Sequence, residues 1–327
     1  MGALILLLAT FIWGTAFLAQ KFGSEALGPF AVTCFRNILG GCFLLVCILI
    51  RNRRKTTSSP IPHSLFPIPH SLFPIPSVIA GLLCGIPLFA AMAAQQIGIE
   101  YTTPGISGFL TTNYMFFIPV LAFVFYRRLP GLHICGGIAL AIAGTYLICL
   151  SSETGSSSTL HSSLFALHSM IGPGELWTVL CAFLFAVQMM IVDRYAKHCD
   201  VLVMSASQLF TAAVLSAPFL FLPSELSQLR NSSLFTLRSS LPIIYLGVFS
   251  SGIAYTLQNF GQARTPPAVA GVVLSMESVF AALSGFVVLG DRMTTAQFAG
   301  CAMVFFAAVF TQIFDIIFSK KTEVEFQ

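Results

Sequence analysis

The sequence predicts an all-α integral membrane fold of ten transmembrane helices, arranged as two inverted five-helix copies. Three observations lead there. Charged residues make up 9% of the 327 and hydrophobic ones 56%, where an ordinary soluble domain carries about 25% charged residues. Apolar runs of about 20 residues recur along the chain, the length a bilayer core of roughly 30 Å demands of a helix. The second half also repeats the first.

Charge clusters, Pro/Gly turns and Ser-rich stretches mark the boundaries. The first segment, 2–20, closes before Lys21. It has no basic leader and no small-residue cleavage site, so it is expected to be a retained span. The second, 29–50, opens after a Gly-Pro turn and ends at Arg51, Arg53, Arg54 and Lys55. The third, 77–99, ends in "AAQQIGIEYTTP", whose Thr-Pro starts the fourth, 104–126. Arg127-Arg128 closes the fourth, and the fifth covers 131–150. The remaining five are 174–193, 202–222, 240–262, 267–290 and 294–317, separated by Asp193-Arg194, Pro223, "ARTPP" and "GDRM". Short connections force neighbouring helices to run antiparallel. Residues 1–150 and 173–318 form the two copies, followed by a tail at 319–327.

Two connections have biased composition. The segment 51–76 carries the tandem repeat "PIPHSLFPIPHSLFPIPS", in which Pro forbids a helix; it reads as a semi-extended spacer. The segment 151–172 is Ser-rich and reads as a flexible linker between the copies.

Pairing Gln95 with Gln258 also aligns Gln96 with Asn259, Gly98 with Gly261, Thr102 with Thr265 and Pro104 with Pro267. One further residue of offset pairs Asn113 with Glu277 and Gly136 with Gly300. Earlier in each half, Phe11 meets Phe183 and Arg36 meets Gln208. Five is odd, so the second copy enters the bilayer in the opposite sense. Inverted copies place a binding site near the midplane at their interface and rock about it. That is transporter architecture.

Orientation follows from basic residues, which stay in the cytoplasm when loops are short. With the N-terminus inside, eleven Lys/Arg fall on the inner side and four on the outer: Lys21, Arg230, Arg238 and Arg292. Both termini are therefore expected in the cytoplasm.

Polar side chains within spans are costly in hydrocarbon and should face protein, water or substrate. Glu277, deep in the ninth segment, would couple a proton or hold a cationic group. Its counterpart Asn113 offers an uncharged amide. Trp13, Gln188, Tyr255 and Asn259 complete the cavity candidates. Arg36 would pair with Glu277, bind a carboxylate, or snorkel outward. With Gln95, Gln96, Gln208 and Gln258 it is read as a gate or helix clamp, since adjacent helical residues point about 100° apart and only one of each amide pair can face a cavity. Most of the nine Cys lie in apolar runs without ligand spacing, so no metal and no cofactor are expected. No Walker-type motif or hydrolase signature occurs, which speaks against an ATP-driven pump and against an enzyme.

The stretches "ATFIWGTAFLAQKFG", "GPFAVTCFRNILGG", "AAQQIGIEYTTPGISGFL" and "SMESVFAALSGFVVLGDRMTTAQFAGCAMVF" closely resemble the EamA domain of the drug/metabolite transporter superfamily. The resemblance covers both halves and implies a ten-helix inner-membrane carrier exporting small metabolites, commonly amino acids. It places the cavity among the first, third, fourth, sixth, eighth and ninth helices. The expected partners are a small-molecule substrate and the lipid bilayer, with a homodimer left open and no nucleic acid. Rival readings are a lipophilic-cation exporter, a nucleotide-sugar or sugar-phosphate exchanger, and, from another class, a channel or membrane receptor.

Overall fold

The computed structural model describes residues 1–57, 74–101, 104–127, 131–150, 172–231, 237–289 and 294–325. The Pro-rich repeat from Pro60 to Phe73, the linker 151–171, Arg128 and the Asp291-Arg292 pair lie outside the described residues. Among those described, every regular element is helical.

Among the described residues, nine helical stretches are long and apolar enough to cross a membrane: Gly2–Ser24, Pro29–Arg53, Ile75–Tyr101, Ser107–Phe125, Pro173–Tyr195, Val201–Phe221, Ser240–Gln262, Pro267–Val288 and Thr295–Phe314. A shorter apolar helix, Leu132–Leu147, stands in the fifth place, which completes the ten expected. They are called the first to tenth spans below. Several helices overrun the sequence expectation: the first reaches Ala26, the second Thr57 and the last Glu325. A short helix, Pro223–Asn231, follows the seventh span.

Large apolar side chains such as Leu4, Phe11, Val287 and Phe306 are exposed on the outside of the bundle, where lipid rather than water is their solvent. The buried core lies where the halves meet, at Leu88, Met92, Met115, Ile118, Met189, Val269 and Leu274. Contacts between the halves come in pairs related by the repeat. The third span packs on the sixth and seventh as the eighth packs on the first and second, and the ninth lies on the first as the fourth lies on the sixth. Glycines make these seams close. A Cβ on Gly40 would stand 2.7 Å from the Gly247 carbonyl oxygen, and one on Gly85 would stand 2.8 Å from that of Gln208. Backbone therefore meets backbone between the second and eighth spans and between the third and seventh.

Each end of the bundle is tied by a carboxylate. On the face that carries the N-terminus, Arg51 at the end of the second span forks onto Asp200, with Nη1 to Oδ1 at 3.0 Å and Nη2 to Oδ2 at 2.7 Å. Asp200 also caps the seventh span, its Oδ1 accepting from the amides of Leu202 and Val203, while its own N–H donates to Ser77 Oγ. Burial pushes the Asp200 carboxyl up, but Arg51 and the two amides outweigh it and hold the group below its ordinary value. On the opposite face Glu225, from the short helix, accepts from the N–H groups of Phe30 and Ala31 at 3.2 and 3.0 Å. These are orphan donors at the start of the second span. Here burial wins over the two amides, and the Glu225 carboxyl is raised.

Candidate functional site

The fourth and ninth spans are broken at matching places. The fourth consists of the helices Pro104–Thr111 and Tyr114–Tyr126, and the ninth of Pro267–Leu274 and Met276–Ser284. At both breaks the backbone tightens to bonds three residues apart, Asn113 N–H to Leu110 O and Ser278 N–H to Ser275 O. Hydroxyls explain why. Thr112 Oγ1 donates to Phe109 O, Ser275 Oγ to Val272 O and Ser278 Oγ to Ser275 O, and such back-bonding competes with the helix ladder and bends it. Broken helices at corresponding positions of two inverted copies mark the binding region of many transporters.

The eighth span widens into a π-helix at Leu246–Ala254. Two consecutive serines on that turn reach one guanidinium: Arg36 Nη2 donates to Ser250 Oγ at 2.8 Å and Nε to Ser251 Oγ at 3.0 Å. π-helical turns concentrate at functional sites because the wider turn re-aims side chains.

Between these irregular segments lies a narrow cavity of about 30 Å³, room for about one water. Its wall takes residues from the first, second, third, fourth, sixth, eighth and ninth spans, the second being the one not expected from sequence. Arg36 and Glu277 both line it and are both buried, at 3% and 4% exposure. Among the described residues, the Glu277 carboxyl makes no hydrogen bond and Arg36 has no acid within ion-pair distance. The cavity thus holds one acidic and one basic side chain, neither paired with the other.

Aromatic side chains frame the pair. Trp13 donates from Nε1 to the Ser250 carbonyl at 3.1 Å, and its ring lies 4.9 Å from that of Tyr255. Tyr114, Phe17 and Phe185 complete the apolar wall, and the Tyr114 hydroxyl is buried without a partner.

Of the sequence candidates, Trp13, Tyr255, Glu277, Arg36, Gln95 and Gln258 line the cavity. Gln95 donates to Thr111 Oγ1 at 3.2 Å and Gln96 to the Gln20 carbonyl at 3.3 Å. Four others stand elsewhere. Asn113 is half-buried at the break, and the tightened turn brings its neighbour Tyr114 to the cavity instead. Gln188 and Asn259 are buried behind the wall, bonded to Gln258 and Ser205. Gln208 is fully buried away from the cavity, with neither amide atom partnered. Arg36 neither snorkels nor pairs with Glu277; the serine hydroxyls hold it inward. Sequence reasoning missed Gln20, Thr111, Tyr114 and Ser250. The available signal was the run of hydroxyl residues in "LTTNY" and "FSSG", which is polar without being charged. No group of three or more potential metal ligands occurs among the described residues.

Comparison with known proteins points the same way. The model of the EamA-like transporter family matches residues 1–150 and 172–313. An uncharacterized transporter of Archaeoglobus fulgidus is 24% identical over 94% of this chain and 84% of its own length. The WAT1-related protein At3g02690, chloroplastic, of Arabidopsis thaliana is 23% identical over 93% of this chain and 67% of its own. The uncharacterized transporter YwfM of Bacillus subtilis is 24% identical over 92% and 90%. A crystal structure with 22% identity covers 96% of both chains at a TM-score of 0.69, a likeness of fold.

Proposed function

Because the chain belongs to the EamA-like transporter family, we propose that it is a secondary exporter of small zwitterionic, amino-acid-like metabolites, working by alternating access of its two halves. One observation carries this reading: a buried cavity where the two halves meet contains Arg36 and Glu277 without charge partners. Isolated charges in a low-dielectric interior are expensive and are normally paired. A ligand bearing both a carboxylate and an ammonium supplies the two missing partners at once. Ser250 and Ser251 pre-orient the guanidinium while leaving Nη1 for the substrate, and the aromatic walls take an apolar side chain. A phosphate-bearing substrate is disfavoured, since Glu277 would share its pocket.

Coupling follows from the same arrangement. When the cavity empties, the Glu277 charge loses its ammonium partner, and a proton takes its place. Substrate and proton then compete for one carboxylate, which makes the exchange an antiport. The face carrying the N-terminus is assigned to the cytoplasm from the excess of basic residues there, and the cell membrane as the location. The small volume of the cavity corresponds to a closed form between the two open ones.

The test is counterflow in proteoliposomes with a panel of radiolabelled amino acids, each set beside its decarboxylated amine and its deaminated acid. The expected result is saturable, accelerated exchange of zwitterions that is faster under an opposing proton gradient. Non-saturable flux would point to a channel, and equal exchange of amines or acids would overturn the zwitterion reading.

A further inference from the structure

Four unmade hydrogen bonds cluster in one place. Between the sixth and eighth spans, towards the N-terminal face, Gln188 Nε2, Gln258 Oε1, Asn259 Oδ1 and Gln262 Oε1 are buried and lack a partner. Each of these amides uses its other end. Gln258 Nε2 donates to Gln188 Oε1 at 3.3 Å, Asn259 Nδ2 to Ser205 Oγ at 2.9 Å and Gln262 Nε2 to the Met189 carbonyl at 3.4 Å. Flipping an amide exchanges the two ends without curing the shortage. Native interiors satisfy the large majority of such groups, and each one left dry is costly. Four together require an explanation.

Their positions supply one. Gln258 lines the central cavity, and Gln262 lies one turn further along the same helix face. The span ends there. The next residues, Ala263 and Arg264, wall a second hollow of about 470 Å³ at the N-terminal face, beside Arg51, Lys197 and Asp200. The amides thus run from the central cavity towards the vestibule. At the positions related to Gln188 and Gln262 stand Ala16 and Ile99, both apolar and fully buried, whereas Gln258 and Asn259 are matched by the amides Gln95 and Gln96, so the polar run is longer on the N-terminal side.

We propose that the route from the N-terminal face into the cavity runs between the sixth and eighth spans along Gln262, Gln258 and Gln188. It is wetted in the loading state and shut here by the Gln188–Gln258 bond. The unpartnered amide atoms are the groups that water and a passing polar substrate hydrate when the gate opens. The proposal rests on the transport reading for its purpose, but its test needs no substrate.

That test is labelling with a membrane-impermeant maleimide. Cys199, in the wall of the vestibule, is the positive control in the unsubstituted protein and identifies the side from which the reagent acts. In the full chain carrying Cys199→Ala, Gln262→Cys and Gln188→Cys are expected to label from that side several-fold above the parent, and Ile99→Cys to stay at background. No labelling at 262 or 188 while Cys199 itself reacts would overturn the route. Thermal unfolding of Gln262→Met separates a gate from a structural clamp. The gate reading expects a midpoint held or raised, because an unpartnered oxygen disappears with the bond. A fall of several degrees would contradict it.

Discussion

The two ends of the bundle are built on one plan and finished differently. At each, a carboxylate closes the N-terminus of a span against the other half. Asp200 has the Arg51 guanidinium as a bidentate partner, whereas Glu225 has only the amides of Phe30 and Ala31. Inside the rim the order reverses. The N-terminal end contains the four half-satisfied amides around Gln258, while the opposite end shows unpartnered oxygens at Gln20 and Gln96. A strong rim over a poorly satisfied interior is what a gate requires if it must open to water and then reclose. The inverted copies provide equivalent frames, and side-chain differences distinguish the two ends.

Several substitutions would break or sharpen this contrast. The largest effects are expected at the seams on which both ends hang. Gly40→Leu and Gly85→Leu push a side chain into backbone carbonyls less than 3 Å away, at a cost on the order of 3 kcal/mol or more. Both should abolish the monodisperse fraction in detergent to a similar degree; a large inequality would mean that the seams are not equivalent. Next comes Asp200→Asn, which keeps a helix cap and removes the ion pair, at a cost of about 1 kcal/mol. Labelling at position 262 should then accelerate, reporting a looser rim.

The pH responses of the two ends should have opposite signs. Folding holds Asp200 below the ordinary value, so as pH falls the unfolded chain takes this proton first. Its contribution is complete above about pH 4 and is lost as the pH drops through the folded value. Folding raises Glu225, so its contribution is greatest below the ordinary Glu value of about 4.3 and is lost as pH rises through the folded one. Glu225→Gln should therefore flatten the shallow loss of stability as pH rises above about 4.3, and Asp200→Asn the loss below about pH 4. Unfolding midpoints across that range check both, and this is the smallest effect of the set.

The fold was largely legible because hydrophobic length and the internal repeat are properties of the chain itself. Ten apolar segments and their inverted relation could be counted without coordinates. The site was less so. Trp13, Tyr255 and Glu277 stood out as polar or amphipathic residues in greasy runs. The breaks at Thr112-Asn113 and Ser275, however, turn on hydroxyls bonding to their own helix, which a count of polar residues does not reveal. They shift the register, so Tyr114 rather than Asn113 meets the cavity. The partners of Arg36 were hidden for a related reason: two adjacent serines serve one guanidinium only because the eighth span is widened. Gln188 and Asn259 read as cavity residues from burial cost alone, and the direction in which they point was not encoded in their spacing.

The central claim is that Arg36 and Glu277 divide a zwitterion between them, and counterflow with charge-neutral variants tests it most directly. Losing one partner of a buried charge pair costs about 2 kcal/mol or more, so Arg36→Gln and Glu277→Gln should each weaken zwitterion exchange by roughly 30-fold or more. Glu277→Gln should in addition stop distinguishing an amino acid from its deaminated acid and lose the proton-gradient effect. Wild-type exchange of zwitterions by both variants, with the gradient dependence intact, would contradict the account.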